Sequence, residues 1–432
     1  MSARAYWQLL QQNTRFAAFG MIIAFASSFG QTYFVGIFGQ SIQLDFGLSH
    51  TQWGGVYMAG TLLSALLLPI TGKWIDHMAL PRYTLLVVLS LAVAAWFITQ
   101  VHSVWWLVFG IFLLRQSGQG LMSHVAYTSM GRYFDHDRGK ATALVAMGFA
   151  LGEAVLPLLA VLAIVAVGWR YSFSAVAMFI LLVIAPLSLW LLRGHKRRHE
   201  KYEQQLQERE SEADDAAAEE TQSKANTRSW RRRDVLRDYR FYLLLPGISA
   251  ISMVSTAMFF HHLNLADEKG WSHAFLTSSY LLYSVIVIST AIITGQLIDR
   301  FSAKSLVPYT LLPLAAALTM INLIDGHWVI WPYLILLGMG NGFAQTAQTA
   351  LWPELYGVRY LGSIKSLFWS IVVFASALGP VWLGFLVDQG YLLQEAVLTM
   401  VVYLLLATVM LFVGVRGYRQ AKSLAYSAGD QS

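Results

Sequence analysis

Twelve apolar runs, each long enough to span a bilayer, punctuate this 432-residue chain and restrict its folds more than any other feature. Breaking the sequence at its charged and turn-rich points leaves them at roughly 16–41, 52–73, 82–100, 104–130, 140–166, 171–192, 240–264, 274–297, 305–323, 328–352, 361–387 and 391–415. About 20 apolar residues in helical form cross a hydrocarbon core of about 30 Å. Lipid offers no water to unpaired backbone groups, so each run is expected to be a helix and not an open strand. Composition agrees: 56% of residues are hydrophobic and 12% charged, against about 45–50% and about 25% in soluble chains. The first run carries the polar stretch SSFGQT (Ser27 to Thr32) and is too long for a cleaved signal peptide, so it reads as a retained helix.

Lys and Arg orient such a chain, because short cytoplasmic loops are enriched in them. With both termini inside, all but three of the 30 fall on the cytoplasmic side; the exceptions are Arg115 within the fourth run, Arg170 and Lys269. The net charge of +6 is therefore topogenic, and no nucleic-acid partner is expected. The reading is a multi-pass protein of the cell (inner) membrane. One long polar stretch, with Lys/Arg flanks and a Glu/Asp/Gln/Ala middle, suits a cytoplasmic linker that is helical in part or disordered. It separates a six-helix bundle at 1–193 from a second at 239–432, which ends in a short cytoplasmic tail; the linker itself is 194–238.

Six helices on each side of a linker invite a search for a repeat. At a constant offset of 223, GLSH at Gly47 meets GWSH at Gly270, Tyr57 meets Tyr280, and ITGKWID meets ITGQLID; nine of the 30 positions from Gly47 to Asp76 are identical. At an offset of 222, GQG at Gly118 meets GNG at Gly340. Each half starts inside, so the halves are parallel repeats about an axis along the membrane normal, the arrangement of alternating-access carriers.

The spacing Gly-x-x-x-Asp in TGKWIDH (Thr71 to His77) recurs in TGQLIDR (Thr294 to Arg300). It resembles the signature loop of the major facilitator superfamily, and the resemblance covers essentially the whole chain. Gly72, Asp76 and a shifted Arg82 match the first copy; Gly295, Leu297, Asp299, Arg300 and Lys304 match the second. The stretch RYFDHDRGKATALVAMGFALGEAVLP (Arg132 to Pro157) is similar to the fourth-to-fifth helix junction of the monocarboxylate and oxalate/formate carrier branch. The resemblance implies an all-α membrane protein of twelve transmembrane helices in two six-helix repeats, carrying a small anion of monocarboxylate type.

Helices five and eleven would begin at the cytoplasmic face with unpaired amides and partial positive charge. Asp76 and Asp299 end helices at that face and are placed to cap those N-termini across the halves, a contact available only when the cytoplasmic ends are closed. The alternative is that each acid only marks a turn.

Charges at membrane depth are costly unless paired or hydrated. Arg115 and Glu153 both fall near the midplane. Arg115 can hold a carboxylate through two parallel bonds, and Glu153 is the candidate acceptor of a coupling proton; the structural alternative is a buried Arg115 to Glu153 bridge. Gln119 shares the face of Arg115, whereas His124 lies opposite and reads as a packed histidine. Asn341, Gln345 and Gln348 form a polar stripe that lines a cavity or joins helices. Ser252, Ser255, Phe259 and His262 share a face of helix seven, and Ser28, Gln31 and Thr32 occupy the midplane of helix one.

Enzyme signals fail on spacing. RGKAT at Arg138 lacks the glycine of a phosphate loop, no His/Asp/Glu cluster has metal-ligand spacing, and the chain has no cysteine. The expectation is a secondary carrier without cofactor or obligate protein partner, moving a small organic anion with a proton. The alternatives are an exporter of amphipathic compounds and a non-transporting sensor of the same fold.

Overall fold

The computed structural model describes residues 3–134, 138–204, 230, 232–357 and 361–429, and of the predicted linker 205–229 and 231 lie outside them. No strand occurs among the described residues. The helices are numbered here as twelve rods. α1 has two limbs, Asn13–Gly30 and Thr32–Phe46, bent by 46°. α2 is His50–Thr71, started by a reciprocal Ser49–Gln52 capping box, and α3 is Leu80–Thr99. α4 runs through Val104–Leu114, a wide π-helical segment at Arg115–Met122, and Ser123–Tyr133. α5 (138–167) and α6 (169–191) are divided at Gly168, whose φ of 79° and ψ of 164° leave the helical region. The second half follows as α7 Tyr239–Phe260, α8 His273–Phe301, α9 Ala303–Leu323, α10 Ile330–Tyr356, α11 Leu361–Asp388 and α12 Leu393–Gly429.

Among the described residues, eight helices are long and apolar enough to cross a membrane, nine with the bent α1; α5 and α6 form one stretch of 53 residues in that reckoning, and α4 and α10 fall short. The two that fall short carry the polar residues that the sequence singles out, Arg115 and Gln119 on α4, Asn341 and Gln345 on α10.

The repeat is visible in the packing. α1 lies on α5 as α7 lies on α11, and α2 lies on α4 as α8 lies on α10. The halves meet along α2–α11 and α5–α8. Leu66, Val93, Leu182, Ile292 and Leu406 point outward, where lipid tails are as apolar as they are; cohesion between the rods comes from close packing and polar bonds, not from hiding such side chains.

Hydrogen bonds joining the halves gather at the end opposite the signature loops. Asp388, closing α11, accepts from Ser49 Oγ (2.6 Å), His50 N (3.0 Å) and Thr51 N (2.8 Å) at the start of α2. Gln40 donates to Asn264 (2.9 Å) and Asp267 (2.5 Å). The rings of Trp53 and Tyr57 on α2 rest on Phe260, 5.3 and 4.8 Å between centroids.

Candidate transport site and gates

Arg115 owes its surroundings to two irregularities. At Gln31 the backbone turns extended (ψ 156°), which breaks α1 and frees the Gly30 carbonyl from helical pairing. At Arg115 the helix α4 widens into its π segment, a device common at functional sites. The two chains touch at Gly30 and Gly118: a Cβ on Gly30 would stand 2.3 Å from the Leu114 carbonyl, and one on Gly118 2.6 Å from the Gly30 Cα. The Arg115 guanidinium, 2% exposed, donates to the Gly30 carbonyl at 3.0 Å and to Thr32 Oγ1 at 3.5 Å. It lies 5.1 Å from the centre of the Tyr57 ring, whose hydroxyl shares a 2.5 Å hydrogen bond with Thr32. Its Nε has no hydrogen-bond partner among the described residues. Glu153 is not among its contacts, so the bridge weighed from the sequence does not form among the described residues.

Glu153 on α5 is part-buried. The hydroxyls of Tyr33, Tyr280 and Tyr283 lie within its electrostatic reach. The structure thus brings α1, α5 and α8 together around this acid, across the junction of the halves. Sequence reasoning passed over these tyrosines, although the match of Tyr57 with Tyr280 in the repeat was a signal for one of them.

The other predicted ligands do not converge. Gln31 and Gln119 are part-buried. Asn341 is tied to Ser255 on α7 (2.9 Å) and to its own helix at the Leu337 carbonyl (3.0 Å). Gln348 donates to the Ile248 carbonyl, also on α7, at 3.2 Å, and Gln345 is exposed. These two bonded amides join helices. His262 is fully buried; its Nδ1 meets the Tyr280 hydroxyl at 2.7 Å, and its Nε2 and the Tyr333 hydroxyl have no partner among the described residues. His124 bonds the Gly72 carbonyl at 3.2 Å, as a packed histidine does.

At the signature-loop end, Asp76 is exposed and pairs with Arg132 of α4, in its own half. Gly72 closes α2, and Arg82 is exposed. In the second copy Gly295 is part-buried, Asp299 and Arg300 are exposed, and Lys304 pairs with Glu354 of α10 at 3.4 Å. No hydrogen bond joins the halves here among the described residues. The latch at Asp388 on the opposite end was not legible, because its position has no counterpart acid in the first repeat.

Two bundles with the same internal packing, meeting along α2–α11 and α5–α8, define a helical membrane transporter fold. A bacterial homolog to the human lysosomal transporter Spinster, solved in an inward-facing and occupied conformation, has that fold: TM-score 0.70, 15% identity, 94% of this chain and 97% of the other covered. Its inward-facing, unoccupied form gives 0.69 over the same shares. The Major Facilitator Superfamily profile matches residues 20–380, and the chain belongs to that superfamily. It is a multi-pass integral membrane protein and not an enzyme. Over 128 residues it is 24% identical to the Multidrug resistance protein MdtH of Yersinia enterocolitica serotype O:8, and 23% identical to that of Yersinia pestis. The match spans 30% of this chain and 32% of each relative, so the chain spans about a third of the length of these curated relatives.

Proposed function

We propose that this protein is a proton-coupled secondary carrier of small organic solutes, working by alternating access, with its signature loops and both termini in the cytoplasm. The bundles at 1–193 and 239–432 act as the two moving bodies, and the 194–238 segment joins them. The observation that carries the reading is Glu153: a part-buried carboxylate at the junction of the halves, with no hydrogen-bond or ion-pair partner among the described residues. Such a group is stable at that depth only when neutralised, which suits it to take up a proton on one side and give it up on the other. The seal at Asp388 supports a state closed outward.

A pH gradient imposed on proteoliposomes tests this. Wild type is expected to accumulate a transported solute, chosen from a labelled panel of carboxylates and cations, as the gradient directs; Glu153→Gln keeps counterflow and loses the accumulation. A Glu153→Gln carrier that still follows the pH gradient ends the coupling role, and binding without any flux in wild type favours the sensor reading instead.

A second reading keeps the organic anion. It is supported by the unpartnered Nε of Arg115 and by the resemblance of Arg132 to Pro157 to the monocarboxylate branch. Gln31, Gln119, Asn341, Gln345 and His262 would complete that site only in another state of the cycle, in which the guanidinium has left the Gly30 carbonyl and the two halves have moved so that these residues converge. Carboxylate uptake unchanged in a folded Arg115→Ala carrier rules it out.

A further inference from the structure

The counter-charge of Glu153 has to come from somewhere. Arg115, at similar depth, is spent on the Gly30 carbonyl, Thr32 and the Tyr57 ring. The helices packed on α5 around Glu153, α1 and α8, bring tyrosines of both halves within its electrostatic reach. Tyr33 on α1 leans on Phe259 of α7 with 6.3 Å between ring centres, and Phe259 meets Tyr283 of α8 at 5.2 Å and Tyr280 at 5.4 Å. Close contact holds the acid there: a Cβ on the neighbouring Gly152 would stand 2.0 Å from Ser28 Oγ, the atom that accepts the Tyr33 hydroxyl at 2.8 Å. A carboxylate near a cluster of aromatic rings is the chemistry that recognises an organic cation, through ion pairing and through the ring quadrupole.

We propose that Glu153, Tyr33, Phe259 and Tyr283 form a binding site for a lipophilic organic cation, a phosphonium or substituted ammonium carried by an apolar body. The proposal deepens the carrier reading above by naming the substrate class at the same carboxylate. One carboxylate neutralises one positive charge, so cation and proton exclude each other; a bound proton leaves Glu153 Oε when the cation arrives and returns when it departs. Among the described residues, the titratable groups that interact with Glu153 are Tyr33 on α1 and Tyr280 and Tyr283 on α8. Tyr127 of α4 stacks on Phe149, one turn away along α5, and His273 at the start of α8 borders Val161 and Val165, two turns or more in the other direction. None of these is a standing cation that would satisfy the acid.

The test is binding of tetraphenylphosphonium to the purified full-length protein in nanodiscs, with tetraphenylborate as an anion of the same shape. Wild type is expected to bind the phosphonium saturably and in preference to the borate, more weakly at pH 6 than at pH 8. Glu153→Gln should weaken it by tenfold or more, and Tyr283→Ala by about tenfold, the scale of a lost cation–π contact. Glu153→Asp, which keeps the charge, should bind better than Glu153→Gln and so separates loss of the site from loss of the fold. Equal binding of borate and phosphonium, or wild-type affinity in Glu153→Gln, overturns the cation site. If wild type binds no phosphonium while Glu153→Gln still abolishes proton-driven accumulation, the cation site falls and the coupling role stands; if neither effect is seen, both fall.

Discussion

The two ends of this molecule treat their acids in opposite ways. At one end Asp388 reaches from α11 across to the first turn of α2 and takes three hydrogen bonds from the other half. At the signature-loop end the acids stay at home: Asp76 is held by Arg132 of its own bundle, and Asp299 stands exposed. Asp388 sits over the open amides of a helix start; the same device, expected of Asp76 and Asp299, is not formed at the other end among the described residues. A carrier of two bodies needs one seal made while the other is released, so the difference reads as one position of an alternating cycle.

Breaking the engaged seal should have the largest effect. Asp388→Ala removes a charged cap, worth about 0.5–2 kcal/mol in comparable helices, and so should raise the share of molecules open at this end by up to about tenfold. The chain has no cysteine of its own, so a single cysteine at Val56, a buried α2 position, reports the change. Its maleimide labelling should speed up by about that factor in Asp388→Ala, and an unchanged rate would mean that the latch does not hold this end shut.

The next effect lies at the signature-loop end of the first bundle. His195 is buried against Phe16 and Tyr133, with ring centres 5.8 and 4.8 Å away. Burial, followed by the charges of Arg198 and His199, pushes its pKa down to about 4. The folded value lies below the unfolded one of about 6.5, so the stability that depends on a neutral ring is complete above about pH 6.5 and is lost as pH falls toward 4. His195→Phe should flatten this: from pH 7 to pH 5 the wild type should lose about 1 kcal/mol more than the variant, a figure reduced from the full linkage value because the cluster borders water. Thermal unfolding at the two pH values reads it, and parallel losses would clear His195 of the role.

Much of this architecture could be read from the sequence, and the parts that could not share a cause. The spans, the duplication and the signature loops follow from apolar length and from register, which are local or periodic properties. Arg115, Glu153 and His124 were legible because polar groups at membrane depth are rare. Their partners were not. Gly30 offers its carbonyl to Arg115 only because α1 breaks at Gln31, and a break of that kind leaves no mark in hydropathy. For Asn341 and Gln348 the sequence left cavity lining and helix joining open, since an amide stripe has the same spacing in either role; in the structure both tie α10 to α7. Tyr33, Phe259 and Tyr283 come from three helices, and their contact with one another exists only in the folded packing.

The smallest predicted effect bears most directly on the duplication. Arg132 and Glu354 occupy equivalent places, 222 residues apart, near the ends of α4 and α10. Each pairs with the signature loop of its own half, but the signs are exchanged: Arg132 holds the acid Asp76, and Glu354 holds the base Lys304. The geometry was copied and the wiring reversed, which leaves Asp299 as the loop acid without an ion-pair partner in this state among the described residues. Both bridges are partly open to solvent, with side-chain exposures of 21% and 55% in the first and 27% and 25% in the second, so each is worth about 0.2–1 kcal/mol. A double-mutant cycle measures this directly. Arg132→Glu should lower thermal stability and Asp76→Arg added to it should recover most of the loss; Glu354→Lys and Lys304→Glu should behave alike. If the Asp299 cap acts only when the signature-loop ends meet, as the gate reading requires, Asp299→Asn should leave the stability of this state where it was and slow turnover. Equal slowing by Asp299→Asn and by Asp76→Asn would show that the reversed wiring makes no difference to which loop closes the gate.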